Sequence, residues 1–235
     1  MKYYRLMTLL PPLPAAPERP PCAVGDLIEL CADELDGRAL LQVRTLLGIL
    51  DCRNLEAFLQ GSDAFDDRAL LTRASFEART DLPDYALSCL KENDSTEISP
   101  ESGWQVYFAH VLEVAEQTGS RFLRQWATSE LGLRSQLVEY RVQSMVSGRD
   151  RPAPEVVVEP PDGVTPLLSA LQSEPDPMER ERLLDRWRLD HLHDMSGVDA
   201  FSLDSVLAYV AATLVLDRWD FVEHGDATHV LESFT

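Results

Sequence analysis

The 235-residue chain carries 40 acidic against 21 basic residues, a formal charge of −19, and a hydrophobic fraction of 45%. That length and composition suit one large or two small soluble domains. The charge argues against a nucleic-acid surface, which wants clustered Lys and Arg, and against direct docking on anionic lipid; only two lysines occur, Lys2 and Lys91.

The opening "MKYYRLMTLLPPLPAAPERPPCA" mixes a basic residue, an apolar run and a cysteine. Arg5 divides the run, and Pro11, Pro12 and Pro14 stop it before a secretory helix can form. The segment is therefore expected to stay on the mature protein. Tyr3, Tyr4, Leu6, Leu9 and Leu10 read as a short apolar element, followed by an extended proline-rich arm lying against the body.

Val24 to Leu35 then shows the three- and four-residue steps of an amphipathic helix, which Gly37 breaks. A second helix is predicted over Arg38 to Leu50, and a third from near Asn54 to Gly61. Short helices follow over Arg68 to Ala78 and from Pro83 to Lys91, then an exposed loop, "KENDSTEISPESG". From Trp104 a helix runs to Gly119, and Arg121 to Met145 forms one long or two joined helices. "GRDRPAPEVVVEPPDG" reads as a proline-rich linker. Beyond it come helices over Thr165 to Leu171, Pro177 to Leu192 and Ser202 to Asp220, the last capped by Ser202. Nothing alternates as a strand would, so the expected fold is all-α. In domain terms, residues 1–150 form the arm and a helical module, 151–163 the linker, and 164–235 helices that pack back as one body through Trp187, Leu207 and Val210.

Chemistry is harder to find. In "LDHLHDM", Asp190, His191, His193 and Asp194 are ligand-capable, with His224 and His229 further on, but two histidines two residues apart point to different sides of a helix. Helix capping and surface polarity are the reading preferred over a metal site. Carboxylate pairs such as Asp66 with Asp67, or Glu179 with Glu181, read as solvated faces. No nucleophile elbow, phosphate loop or dinucleotide turn occurs, so no catalytic, cofactor-binding or metal residue is assigned and the chain is read as non-catalytic. Trp187 and Trp219 each follow an Asp-Arg pair. They read either as partner-binding anchors or as core tryptophans with Arg186 and Arg218 meeting carboxylates at the edge. The cysteines Cys22, Cys31, Cys52 and Cys89 lack a Cys-x-x-Cys pair and read as reduced thiols. The longest apolar stretch, Val206 to Leu216, is too short to span a bilayer. A cytoplasmic protein is expected.

The C-terminal segment resembles the signature of a family of unknown function encoded beside bacterial V-type (A-type) ATPase genes. The matching positions are Leu184, Asp185, Arg188, Leu192, Phe201, Ser202, Val206, Leu207, Tyr209, Leu216, Arg218 and Trp219. The N-terminal "YYRLMTLLPPLP" is similar to that family's aromatic start, through Tyr3, Tyr4, Leu10, Pro11 and Leu13, and the central "FLRQWATSELGLRSQLVEYRVQSMVSG" resembles its middle. At Arg134 and Ser135 the family tends to have Arg-Asn. The family is in turn similar to the connector of V-type ATPases that is called C in the A-type complexes and d in eukaryotes, an all-helical funnel of three repeated modules that seats the central stalk on the membrane ring. Only two related pieces stand out here, "LLQVRTLLGILDCRNLEAFLQG" and "WATSELGLRSQLVEYRVQSMVSG". The resemblance implies a non-catalytic subunit or accessory factor with no cofactor. It would contact central-stalk or membrane-ring subunits in a complex serving ion or proton transport, without inserting in the membrane, and would be cytoplasmic or peripheral at the inner membrane through that complex. The alternative is an acidic helical adaptor unrelated to the rotor.

Overall fold

A computed structural model describes residues 2–80, 82–93, 100–145 and 159–224. These contain helices and connecting turns and no strand, so the fold is all-α. In chain order the helices are α1 (Tyr4–Leu9), α2 (Val24–Glu34), α3 (Gly37–Leu59), α4 (Arg73–Ala78), α5 (Asp84–Asn93), α6 (Pro100–Thr118), α7 (Arg121–Met145), α8 (Val164–Ser173), α9 (Pro177–Ser196) and α10 (Leu203–His224). Most of the proline-rich linker, with Pro152, Pro154 and the three valines, lies outside the described residues.

Local chemistry sets the boundaries. Asp36 accepts hydrogen bonds from the Arg38 and Ala39 amides and caps α3, so the break falls at Leu35–Asp36 and Gly37 is the first residue of the next helix. Asp176 caps α9 ahead of Pro177, which needs no amide partner in the first turn. Ser202 accepts from the Ser205 amide at 3.1 Å and opens α10. Gly119 turns between α6 and α7 with φ of 62°, a conformation that costs a residue without Cβ little.

Several sequence expectations are corrected. The two helices expected over Arg38–Leu50 and Asn54–Leu59 are one helix of 23 residues. The polar run Asp51-Cys52-Arg53-Asn54 looks like a break, but Asp51 and Asn54 are buried and turned to a neighbouring loop. The helix expected from Arg68 starts only at Arg73, because residues 66–71 bond to α3 instead and Thr72 caps α4. The loop expected over 91–103 is shorter, since α5 runs to Asn93 and α6 begins at Pro100.

Packing centres on α10. Residues Ser205 to Leu214 are all buried, the pattern of a helix enclosed on every side, and α10 contacts α2, α3, α7 and α9. Leu207 and Val210 belong to the large apolar cluster that also takes in Leu27 of α2, Leu46 and Leu50 of α3, Phe108 of α6 and Phe122 of α7. A smaller cluster gathers Leu133 of α7, Val164, Leu167 and Leu171 of α8 and Leu184 of α9, with Trp187 packed against it. α3 crosses α6 closely at Gly48, where an added Cβ would lie 2.9 Å from the Tyr107 ring. The Tyr107 hydroxyl donates to the Thr45 and Leu46 carbonyls at the same crossing. The N-terminal segment is tied down by the Tyr3 amide to the Phe201 carbonyl at 2.8 Å, the Tyr209 hydroxyl to the Pro11 carbonyl at 2.9 Å and Arg182 to the Pro17 carbonyl at 3.3 Å.

Candidate functional site: a paired-charge seam along α10

The helical repeat places Glu181, Asp185 and Arg188 on one face of α9, and α10 brings Arg218 and Trp219 against that face. Asp185 is 1% exposed. Its Oδ2 accepts from Arg218 Nε at 2.5 Å and from the Trp219 indole N–H at 2.8 Å, and its Oδ1 from Arg188 at 2.9 Å. Arg188 also reaches Glu130 of α7 at 3.1 Å, and Arg218 reaches Glu181 at 2.8 Å. Burial works against the Arg188 charge, but the Glu130 and Asp185 carboxylates more than offset it and push its pKa above the ordinary range. The Trp219 ring is approached by the guanidinium groups of Arg182 at 4.7 Å and Arg218 at 5.5 Å, within cation–π range.

One residue earlier on α10, Asp217 continues the seam to the loop between α3 and α4. It accepts from Arg68 at 2.6 Å, and Arg68 holds Asp66 through two further bonds of 2.7 and 2.8 Å. Burial raises the Asp66 carboxyl, yet the Arg68 bonds outweigh it and leave it below its usual range. The loop itself is fastened to α3. Asn54 donates to the Asp66 and Leu71 carbonyls at 2.9 and 3.1 Å and accepts from the Asp66 amide at 2.7 Å. One turn earlier, Asp51 accepts from the Leu71 amide at 2.8 Å and from the Tyr85 hydroxyl. Burial pushes Asp51 up to about 6. Near the α7 side, the Arg134 guanidinium lies 4.2 Å from the Trp104 ring centre and 5.6 Å from that of Phe108.

In this arrangement each seam carboxylate holds a cation or a backbone amide. What it does is fix α7, α9, α10 and the α3–α4 loop in one relative position, with geometry that apolar contacts alone do not specify.

The sequence candidates land unevenly. Trp219 is buried and bonded to Asp185, whereas Trp187 is partly exposed and stacks on His191 with ring centres 4.6 Å apart. Arg218 meets carboxylates as expected, but Arg186 is exposed, and the α9 cation in the seam is Arg188. Asp66 is ion-paired, and Glu179 pairs with Arg182 at 3.4 Å, so neither is a bare solvated carboxylate. His193, Asp190 and Asp194 are exposed, and among the described residues no group of three His, Cys, Asp or Glu is placed to hold a metal. His229 and the side chain of His224 lie outside what is described. The residues sequence reading missed are Glu130, Arg68 and Asp51. Arg218 meeting carboxylates beside a core Trp219 is the part of the seam that the sequence signalled in advance. Among the described residues no helix is long and apolar enough to cross a membrane. Comparisons with models of known protein families, with curated proteins and with solved structures return no match.

Proposed function

We propose that this chain is a non-catalytic subunit or accessory protein of a bacterial V-type (A-type) ATPase, acting by protein–protein contact as a connector of the C/d kind between stalk and ring. The observation that carries the reading is the order of resembling motifs along nearly the whole chain, from Tyr3 and Tyr4 through the α7 segment to Arg218 and Trp219. Support comes from where those positions sit. Asp185, Arg188, Arg218 and Trp219 meet in one bonded group, while Leu192, Val206, Leu207 and Tyr209 lie in the large core. The positions that carry the resemblance are thus ones that hold helices together, as a connector working through shape requires. The all-helical fold is of the kind such a connector has, and the partners are central-stalk or membrane-ring subunits.

Affinity capture of the full chain from native membranes, followed by identification of co-purifying proteins, tests the reading. Recovery of ATPase subunits, with this chain at one copy per purified complex, is the expected result; a capture free of any ATPase subunit overturns it. The charge of −19 favours one alternative, an acidic helical adaptor that binds a basic partner. Capture of a basic protein unrelated to the rotor, released at moderate salt, would select that reading.

A further inference from the structure

The loop between α3 and α4 is fastened at both ends of residues 66–71. At Leu71 the amide donates to Asp51 at 2.8 Å and the carbonyl accepts from Asn54 at 3.1 Å. At Asp66 the amide donates to Asn54 Oδ1 at 2.7 Å, and the carbonyl accepts from Asn54 Nδ2 at 2.9 Å. Between these ends Arg68 reaches away from α3 to Asp217 of α10 at 2.6 Å. Ala69 and Leu71 are the buried apolar side chains of the segment, and Leu70 is 52% exposed. So little apolar surface leaves the polar bonds to hold the loop shut, the mark of a unit that opens ahead of the helical core.

Asp51 is the fastening whose charge can change. Its carboxyl is 3% exposed, and its donors, the Leu71 amide and the Tyr85 hydroxyl, are neutral. Among the described residues no cation is paired with it. Ionising a carboxyl in that setting is unfavourable, whereas lifting the loop off it admits water and removes the penalty. The closed loop therefore favours the acid and the open loop the carboxylate. Burial raises Asp51 from 3.8 to about 6, which places the change between those values.

The surrounding groups keep their charge across that window. Burial works against Asp66 on the loop, yet Arg68 keeps it below its usual range and ionised. Burial also pushes up the Cys52 thiol on α3 and the hydroxyls of Tyr85 on α5 and Tyr107 on α6, so all three stay protonated. Cys89 of α5 bears on Cys52 and Tyr85, and Arg134 of α7 on Cys52 and Tyr107. His110 of α6, whose ring centre lies 5.2 Å from that of Tyr85, is the competing source of a change near neutral pH.

We propose that residues 66–71 form a pH-gated clasp: loss of the Asp51 proton loosens the loop from α3 as one unit and draws Arg68 off Asp217, so that acidity sets how firmly the end of α10 is tied to α3. The clasp does not depend on any role in an ATPase.

Amide hydrogen exchange of the full chain, followed by NMR from pH 4.5 to 7.5 and corrected for the intrinsic rate at each pH, tests this. The Leu71 amide reports the Asp51 bond, and the Asp66 amide reports the Asn54 bond, which does not titrate. Protection of both should fall together by at least about tenfold as pH rises, as linkage to an aspartate freed into water requires. The amides of Leu207 and Val210 in α10 should stay more strongly protected. Asp51→Asn keeps an acceptor for Leu71 without a titrating proton and should flatten the pH dependence at both reporters, whereas His110→Gln should leave it in place. Arg68→Gln should lower both protections at every pH by about fivefold or less, the size of one part-exposed ion pair. Protection that is flat with pH, a dependence that survives Asp51→Asn or vanishes in His110→Gln, or a fall at Leu71 alone would each overturn the clasp. So would Leu71 and Asp66 exchanging no faster than Leu207 and Val210, and an Arg68→Gln variant without effect would overturn its tie to α10.

Discussion

Asp51 and Asp185 are both aspartates sunk in helix–helix contacts, 3% and 1% exposed, and the molecule treats them in opposite ways. Asp185 meets two arginines and an indole N–H. Asp51 meets a backbone amide and a tyrosine hydroxyl, both neutral. Neutral donors do not offset the cost of removing a carboxylate from water, so burial lifts Asp51 to about 6. The comparison separates two uses of one residue type: a charge that locks three helices together, and a charge tolerated in order to hold a loop.

The largest test removes the partners altogether. Asp185 reaches back across the linker to Glu130 through Arg188, and Asp217 reaches Arg68. We expect residues 1–150 and 162–235, expressed separately, to aggregate or melt without a sharp transition, because each exposes the apolar surface that α10 shares with α2 and α3. Two soluble fragments with independent cooperative melts would mean that the chain is two autonomous domains and that the seam is incidental.

Within the intact chain, Asp185→Ala should cost about 3–5 kcal/mol, since it strands Arg188, Arg218 and the Trp219 N–H in a buried setting. Urea denaturation measures it. Asp185→Asn retains an acceptor for Trp219 and should fall between the parent and the alanine variant. A loss below about 1 kcal/mol for the alanine variant, the size of a single exposed ion pair, would show that water or rearranged side chains replace the carboxylate at little cost.

Asp51 should respond to pH instead. Its folded pKa of about 6 lies above the reference 3.8, so the folded state binds more protons between those values. This group's contribution is therefore full below about pH 4 and is lost as pH rises through 6. The shift corresponds to about 3 kcal/mol. Asp51→Asn should be more stable than the parent at pH 7.5, and the difference between the two should vanish near pH 4. A difference that stays constant across that range would remove titration of Asp51 as its cause.

Sequence reading reaches the parts of this molecule that follow apolar periodicity and misses the parts held by buried polar groups. α10, with apolar residues on every face, is legible from pattern alone, and α7 is legible as helical, though the pattern leaves open whether it is one helix or two. α3 reads as two helices because Asp51 and Asn54 look like surface residues, and their partners in the loop lie 12 to 20 positions away. The charged seam is half legible. Asp185, Arg218 and Trp219 stand out in the sequence, but a single chain gives no way to know that Glu130 and Arg68, distant along it, complete the network. Adjacency to Trp187 favours Arg186 as the α9 cation, whereas the helical repeat turns Arg188 toward Asp185.

The smallest effect sharpens the comparison most, because it sets an aspartate bonded to one arginine beside Asp185, which holds two arginines and an indole N–H. Arg68 bonds Asp217 at 2.6 Å, nearly as short as the 2.5 Å bond between Arg218 and Asp185, and the two arginines are equally open, 27% and 28% exposed; what differs is the carboxylate, 8% exposed in Asp217 and 1% in Asp185, where Arg188 and the Trp219 N–H bond it as well. Water and salt reach both arginines, and Asp66 offers Arg68 a second carboxylate. An ion pair so placed is worth about 1 kcal/mol or less, and we expect Arg68→Gln to cost about that much, shrinking as salt rises from about 0.1 to 1 M through screening. The double-mutant cycle with Asp217→Asn isolates the pair, and the corresponding cycle of Arg218→Gln with Asp185→Asn should give a larger coupling, because the Asp185 carboxylate is the more buried, and it too should shrink with salt, since Arg218 is as open as Arg68. Equal couplings would show that bond length, rather than the burial of the carboxylate, sets the strength of the seam.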